Sequence, residues 1–254
     1  PYDNCPLISI IIYKTHIFNQ YNFPILFWQL TCYRVGYLHS SISFIINQGA
    51  LNMSDIPSLN KKRIIILVLI FSLTLIATAF AVNSPREIIQ GEWQILTSPS
   101  ILITDYIALA NLGAALFNAG LVTLMGLGMA CWFHTDFNGY LLAAIFTLAG
   151  FSFFGKNPFN ILPIMLGVYL YHYLFSHKPM KDLVAPFFFG STLAPVVSQI
   201  AFGFNLGWQG LLIGILVGIF AGLLLAALMK HVYSFHMGYN LYNTGTTGGF
   251  VGMV

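Results

Sequence analysis

The chain has 254 residues, of which 57% are hydrophobic and 7% charged, with a formal net charge of +3. Soluble domains carry about 25% charged residues, so this composition excludes a water-facing surface, and so small a net charge does not indicate a nucleic-acid partner. Apolar stretches near 20 residues match a hydrocarbon core of about 30 Å at about 1.5 Å per helical residue, so lipid is the solvent.

The first methionine is Met53, followed by Ser-Asp-Ile-Pro and then Lys61-Lys62-Arg63. Gln48-Gly49-Ala50 can be encoded by CAAGGAGCN, which holds a ribosome-binding AAGGAG shortly before the Met53 codon. Residues 1–52 therefore read as translated leader rather than native domain, and 53–63 as a cytoplasmic N-terminus. The alternative is a membrane-associated segment from Pro6 to Ile46, repeatedly interrupted by polar residues such as Lys14, Gln29 and Arg34.

The charge-free run Ile64 to Val82 reads as a first spanning helix and uncleaved anchor. Asn83 to Pro99 is polar and reads as an external loop with Trp93 near the interface. A second helix is expected from Thr104 to Phe133, tilted or broken at Gly113, Gly120, Gly126 or Gly128. Tyr140 to Phe154 and Ile161 to Phe175 are short runs flanking Gly155 to Asn160, either two tilted spans or one re-entrant hairpin. After Lys178 and Lys181, the run Leu183 to Phe204 is expected to kink at Pro186 and Pro195. Gly210 to Met229 is the cleanest span, and Gly214, Gly218 and Gly222 on one face read as a close-packing stripe.

These elements predict an all-α integral membrane protein, a polytopic bundle of six spans, with five as the alternative. Placing Lys61, Lys62 and Arg63 inside returns Lys178, Lys181 and Lys230 to the same side, which predicts a multi-pass protein of the cell membrane with its N-terminus cytoplasmic.

The most informative pattern is a recurrent element, Gly113-Ala-Ala-Leu-Phe-Asn-Ala-Gly120 and Gly238-Tyr-Asn-Leu-Tyr-Asn-Thr-Gly245. It reads as an internal repeat, with 64–230 holding the first copy and the start of the second, and 231–254 the start of a truncated second element. Duplicated halves with broken helices are a common transporter plan. Small polar side chains and glycines beside an exposed backbone would suit a substrate pathway, giving Phe117, Asn118, Gly120, Asn240, Tyr242, Asn243, Gly245 and Thr246 as candidates. Thr244 to Gly249 is too polar for a lipid-facing helix, so it is expected to be buried, to line a wet cavity, or to be a connecting loop.

Asp105 and Lys156 read as interfacial residues, with an ion-guiding role as the sharper alternative, and His172 as an anchor or a proton relay. Cys5, Cys32 and Cys131 have neither CxxC nor metal spacing. No HExxH, GxSxG or Walker motif occurs, so no catalytic residue, metal or cofactor is expected, and the chain reads as a non-enzyme. The expected partners are the bilayer, a small polar solute and a second copy of the chain. A transporter or channel for that solute is the leading function; a membrane scaffold or a membrane-embedded enzyme of unknown reaction is the alternative.

Phe117-Asn-Ala-Gly120, Phe137-Asn-Gly-Tyr140 and Gly238 to Gly249 resemble an uncharacterised family of bacterial polytopic membrane proteins that carries a duplicated domain of unknown function, number 1576. The resemblance covers Lys61 to Val254 and implies topology and duplication, not a function. The Phe-Asn-Ala/Gly pattern also faintly resembles urea transporters, which implies a small polar solute and no residue assignments.

Overall fold

The computed structural model describes residues 61–101, 104–176, 179–237 and 243–253. The readings made for residues 1–60 lie outside them. Ten α-helices form in the described residues. Five segments are long and apolar enough to cross a membrane: Lys61–Val82, Leu112–Trp132, Pro158–Phe175, Pro186–Gly203 and Gly207–Phe235. The chain is an all-α, multi-pass membrane protein; among the described residues five segments reach this length, and Gly139–Phe151 is shorter.

Helix α1 (Lys61–Val82) runs antiparallel to α4 (Leu112–Trp132). Gly113 abuts Asn83 and the Ala79 carbonyl, and Gly120 abuts Ile76 and the Ser72 carbonyl. Only 22% of the α1 window is buried, against 56% of the α4 window, so α1 lies against lipid and α4 is central. Ile66, Leu67 and Ile70 form part of the exposed apolar face this requires.

The expected loop after α1 is instead a helix, α2 (Pro85–Thr97). Ser84 and Glu87 form a reciprocal capping box, and Pro85 occupies the first turn, where its missing N–H costs nothing. Ile88, Gly91, Glu92 and Ile95 share its buried face while Ile89 and Trp93 are exposed, as in an amphipathic helix. Thr104 to Phe133 is not continuous either. A single turn, α3 (Tyr106–Leu109), capped by Asp105, is followed by off-helix backbone at Ala110 and then by Asn111, whose side chain accepts from Ala114 N to cap α4. The break thus falls at two non-glycine residues, because Asn111 meets an unpaired helix-start donor.

Helices α5 (Gly139–Phe151) and α6 (Pro158–Phe175) follow, joined by the turn Ser152 to Asn157. Met180–Leu183 is a 3₁₀ turn, followed by α7 (Val184–Phe189), a second 3₁₀ turn at Gly190–Leu193 and α8 (Ala194–Gly203). The expected proline kinks are therefore a 3₁₀ interruption between Pro186 and Pro195. Helix α9 (Gly207–His236) leads to α10 (Asn243–Gly252), so Thr244 to Gly249 is helical rather than a loop, with Thr244, Thr247 and Gly248 buried.

Two contacts identify one end of the bundle: Lys61 Nζ lies 5.1 Å from the Phe137 ring centroid, and Lys181 Nζ lies 3.6 Å from Asp136 Oδ2. The start of α1, the α4–α5 connection and the turn before α7 share this basic end. At the opposite end α2 and α3 form a roof, tied down by Asn111 Nδ2 donating to Glu87 O (3.1 Å) and by Gly113 N donating to Asn83 Oδ1 (2.9 Å).

Glycines set the packing of α9. Gly214 lies against the Val197 carbonyl and Gly218 against Pro163 and Val197. A Cβ at Gly222 would overlap the Ile164 carbonyl, and one at Gly167 the Ile219 carbonyl. Such backbone contact is what small residues provide where lipid supplies little hydrophobic drive. Gly167→Ala is expected to destabilise by about 1–3 kcal/mol through overpacking. Gly128, with nothing within 4 Å of its would-be Cβ, is expected to tolerate alanine with a gain of about 0.5–1 kcal/mol. Detergent thermal or denaturant melts of the two variants check the contrast.

Candidate functional site

The α5–α6 turn, Ser152 to Asn157, is where buried polar groups concentrate. Helix α5 ends inside the bundle, so its last carbonyls need donors other than water. Asn118, fully buried on α4, donates through Nδ2 to Ser152 O (2.6 Å) and Lys156 O (2.9 Å). Asn160 Nδ2 donates to Gly155 O (2.8 Å) and Ser198 Oγ (3.0 Å). Asn157 caps α6 in a box with Asn160, and its Nδ2 reaches Ile95 O and the Tyr106 hydroxyl of the roof, both at 3.2 Å. Gly155 has φ +91°, a left-handed conformation that favours glycine, and a Cβ there would sit 2.6 Å from Ile101 O.

This clamped turn carries Lys156. Its side chain is 2% exposed, so the interfacial position expected from the sequence is corrected to a buried one. Nζ donates to Ser191 Oγ (2.9 Å) and lies 4.9 Å from the Phe151 ring centroid. Ser191, in turn, donates to Phe188 O (2.6 Å) within the 3₁₀ interruption. Ser191 lies in the 3₁₀ turn, twelve residues before the end of α8. Lysine, serine and broken helix therefore meet inside the bundle.

A groove of about 510 Å³ runs along α8 from Phe204 at the roof end to Thr192 in the interruption, with Ser100 and Gln199 among its walls. Its wall residues Ile101 and Pro195 also flank Gly155.

The other sequence candidates lie elsewhere. Phe117 packs edge-on against Phe80 at 6.0 Å, and Gly120 packs against Ile76, so both face α1. Asn243 Nδ2 donates to Met229 O (3.4 Å) and Thr244 Oγ1 to Met229 Sδ (3.4 Å), beside the last turns of α9. Gly245 is exposed and Thr246 half-buried. Asn118 and Asn243 sit on different helices, α4 and α10, while Asn240 and Tyr242 lie outside the described residues. Asp105 caps α3 through Ile107 N and Ala108 N. Among the described residues the buried His172 Nδ1 has no hydrogen-bond partner, and the half-buried Cys131 forms no disulfide. Among the described residues no group of three His, Cys, Asp or Glu could hold a metal ion.

Sequence reasoning passed over Ser152, Asn160, Ser191 and Ser198. Asn157-Pro158-Phe159-Asn160 is a legible capping signal. Ser191 and Ser198 meet Lys156 and Asn160 only through the tertiary fold.

Glu92 is the other buried charged group among the described residues. It is 8% exposed, on the roof helix rather than a spanning one, and neither carboxylate oxygen has a hydrogen-bond partner. Burial pushes its pKa up from 4.5 to about 7.

These features define a polytopic α-helical membrane protein with a buried polar centre at a discontinuous helix. Residues 84–254 match the model of the family described as protein of unknown function, DUF1576, and the chain belongs to that family. No curated protein and no solved structure matches it.

Two predictions follow from this geometry. Asn118→Ala strips two buried carbonyls of their donor and is expected to cost at least about 1–3 kcal/mol, the penalty for one such group, read as a lowered thermal midpoint. For Glu92, the folded chain keeps the proton up to about pH 7 and the unfolded chain loses it near 4.5. Its contribution to stability is thus complete below 4.5 and falls as pH rises to 7. Melts of wild type and Glu92→Gln across that window are expected to show this loss in wild type and its absence in the variant.

Proposed function

We propose that the chain is a transporter or channel for a small polar solute in a bacterial cell membrane, with its N-terminus cytoplasmic. The observation that carries this reading is the 3₁₀ interruption at Gly190–Leu193 inside a spanning segment, where Ser191 accepts from the buried Lys156 and the next two residues, Thr192 and Leu193, line a groove. Discontinuous spanning helices with polar groups at mid-depth are how many transporters hold substrates. Ionisable residues inside a spanning bundle are costly, and a transport role accounts for one. The placement of Lys61 and Lys181 at a common end supports a cytoplasmic start, since basic residues favour that side. The recurrent Gly-x-x-Leu/x-aromatic-Asn-x-Gly element supports a duplicated plan.

Reconstituted vesicles test the reading. The chain is expected to pass small solutes faster than protein-free vesicles in a swelling or tracer assay spanning urea, polyols, formate and nitrate. Val196 lines the groove and is 40% exposed, so Val196→Trp is expected to cut that flux severalfold with an unchanged thermal midpoint. A folded protein that passes none of these solutes contradicts the proposal.

A further inference from the structure

We propose that Lys156 is the recognition residue for a small monovalent anion, bound where its ammonium meets the 3₁₀ interruption between α7 and α8. This names the substrate class for the transport reading and rests on it.

The first argument is charge balance. Nζ has three N–H donors, and among the described residues one is accepted by Ser191 Oγ while the Phe151 ring face lies beside the head group. Among the described side chains no carboxylate pairs with it. Glu87 is engaged with Ser84 and Asn83, Asp105 caps α3, Asp136 pairs with Lys181, and Glu92 has no hydrogen-bond partner. A buried ammonium without a countercharge is strongly disfavoured, and a bound anion removes that penalty. One positive charge matches one negative charge; a dianion would leave an excess charge in the same low-dielectric site.

Size and access point the same way. Ser152, Lys156, Asn160, Ser191 and Ser198 are each buried, and neither Lys156 nor Ser191 lines the groove, so the ligand must be small, a few heavy atoms that displace little packing. The groove wall reaches the residue before Lys156, since a Cβ at Gly155 would sit 2.6 Å from Ile101 O and 3.6 Å from Pro195 Cγ. The Ser191 hydroxyl already contacts Nζ, so turning its proton from Phe188 O to the ligand supplies a second donor without moving the backbone.

The test is thermal unfolding of the purified full chain at constant ionic strength, with formate, acetate, chloride, nitrate, sulfate or urea added. The thermal midpoint of wild type is expected to rise with the logarithm of monovalent anion concentration, as for any ligand that binds only the folded state. Sulfate and urea are expected to leave it unmoved. The formate and acetate arms against the chloride and nitrate arms separate an organic carboxylate from an inorganic ion. Lys156→Met, similar in length and uncharged, is expected to melt at or above the anion-free wild type and to show no rise. No monovalent anion moving the wild-type midpoint overturns the proposal without reference to any variant, and so does a rise that survives in Lys156→Met. The parallel flux assay keeps the two readings apart. Lys156-dependent stabilisation in vesicles that pass nothing sustains the anion site and removes transport; urea or polyol flux without any anion effect sustains transport and removes the anion site.

Discussion

A helix that stops inside a membrane bundle leaves carbonyl and amide groups where no water can reach them, and that constraint governs this structure. Helix α5 ends well short of a full crossing, and the turn after it is satisfied by three asparagines. Asn118 comes from α4, and Asn157 and Asn160 from the first turn of α6. Each also ties the turn to something distant: Asn118 to a central helix, Asn157 to the roof at Ile95 and Tyr106, and Asn160 to Ser198 on α8. The turn is consequently a junction of four elements. Its rigidity is what lets Lys156 hold one position beside Ser191.

The packing around the junction follows from where glycines lie. Helix α9 meets α8 through Gly214 and α6 through Gly218 and Gly222, so the backbones of three helices approach directly. With α9 only 28% buried over its apolar window and Pro186–Gly203 61% buried, α9 shields a central, interrupted segment from lipid. That shielding matters because Gly190–Leu193 has departed from α-helical hydrogen bonding. Such backbone at membrane depth is stable only when enclosed by protein or beside a wet cavity. Ser191 and Thr192, adjacent in this turn, divide the two roles, one buried against Lys156 and the other in the groove wall.

Much of the architecture was legible from charge-free runs and their flanking lysines, because burial in lipid depends on composition summed over a whole helix. The breaks were harder. Helix α2 reads as a loop in sequence because its polar residues outweigh the Ser84-Pro85-Arg86-Glu87 cap and the apolar spacing of Ile88, Ile95 and their neighbours. The gap before α4 was assigned to glycines, whereas Asn111 capping decides it. Asn118 was singled out for its Phe-Asn-Ala-Gly setting, and the structure gives it a concrete partner set; Phe117 and Gly120, its neighbours in that motif, face α1 instead because adjacent helical residues point about 100° apart. Lys156 was placed at the interface because its partner, Ser191, lies 35 residues away. A short turn holding one lysine looks alike in sequence whether it faces headgroups or a buried serine.

The central claim is that Lys156 is withdrawn from both aqueous phases and held at an interrupted helix. Its most direct measurement is thiol accessibility in sealed, oriented membranes, using single cysteines in a cysteine-free background and a charged, membrane-impermeant reagent. Lys181→Cys is expected to react from the basic face and Arg86→Cys from the opposite one, since both side chains are exposed. Lys156→Cys is expected to resist the reagent from either face and to react only after denaturation. Labelling of position 156 from one face as fast as either control would contradict the account.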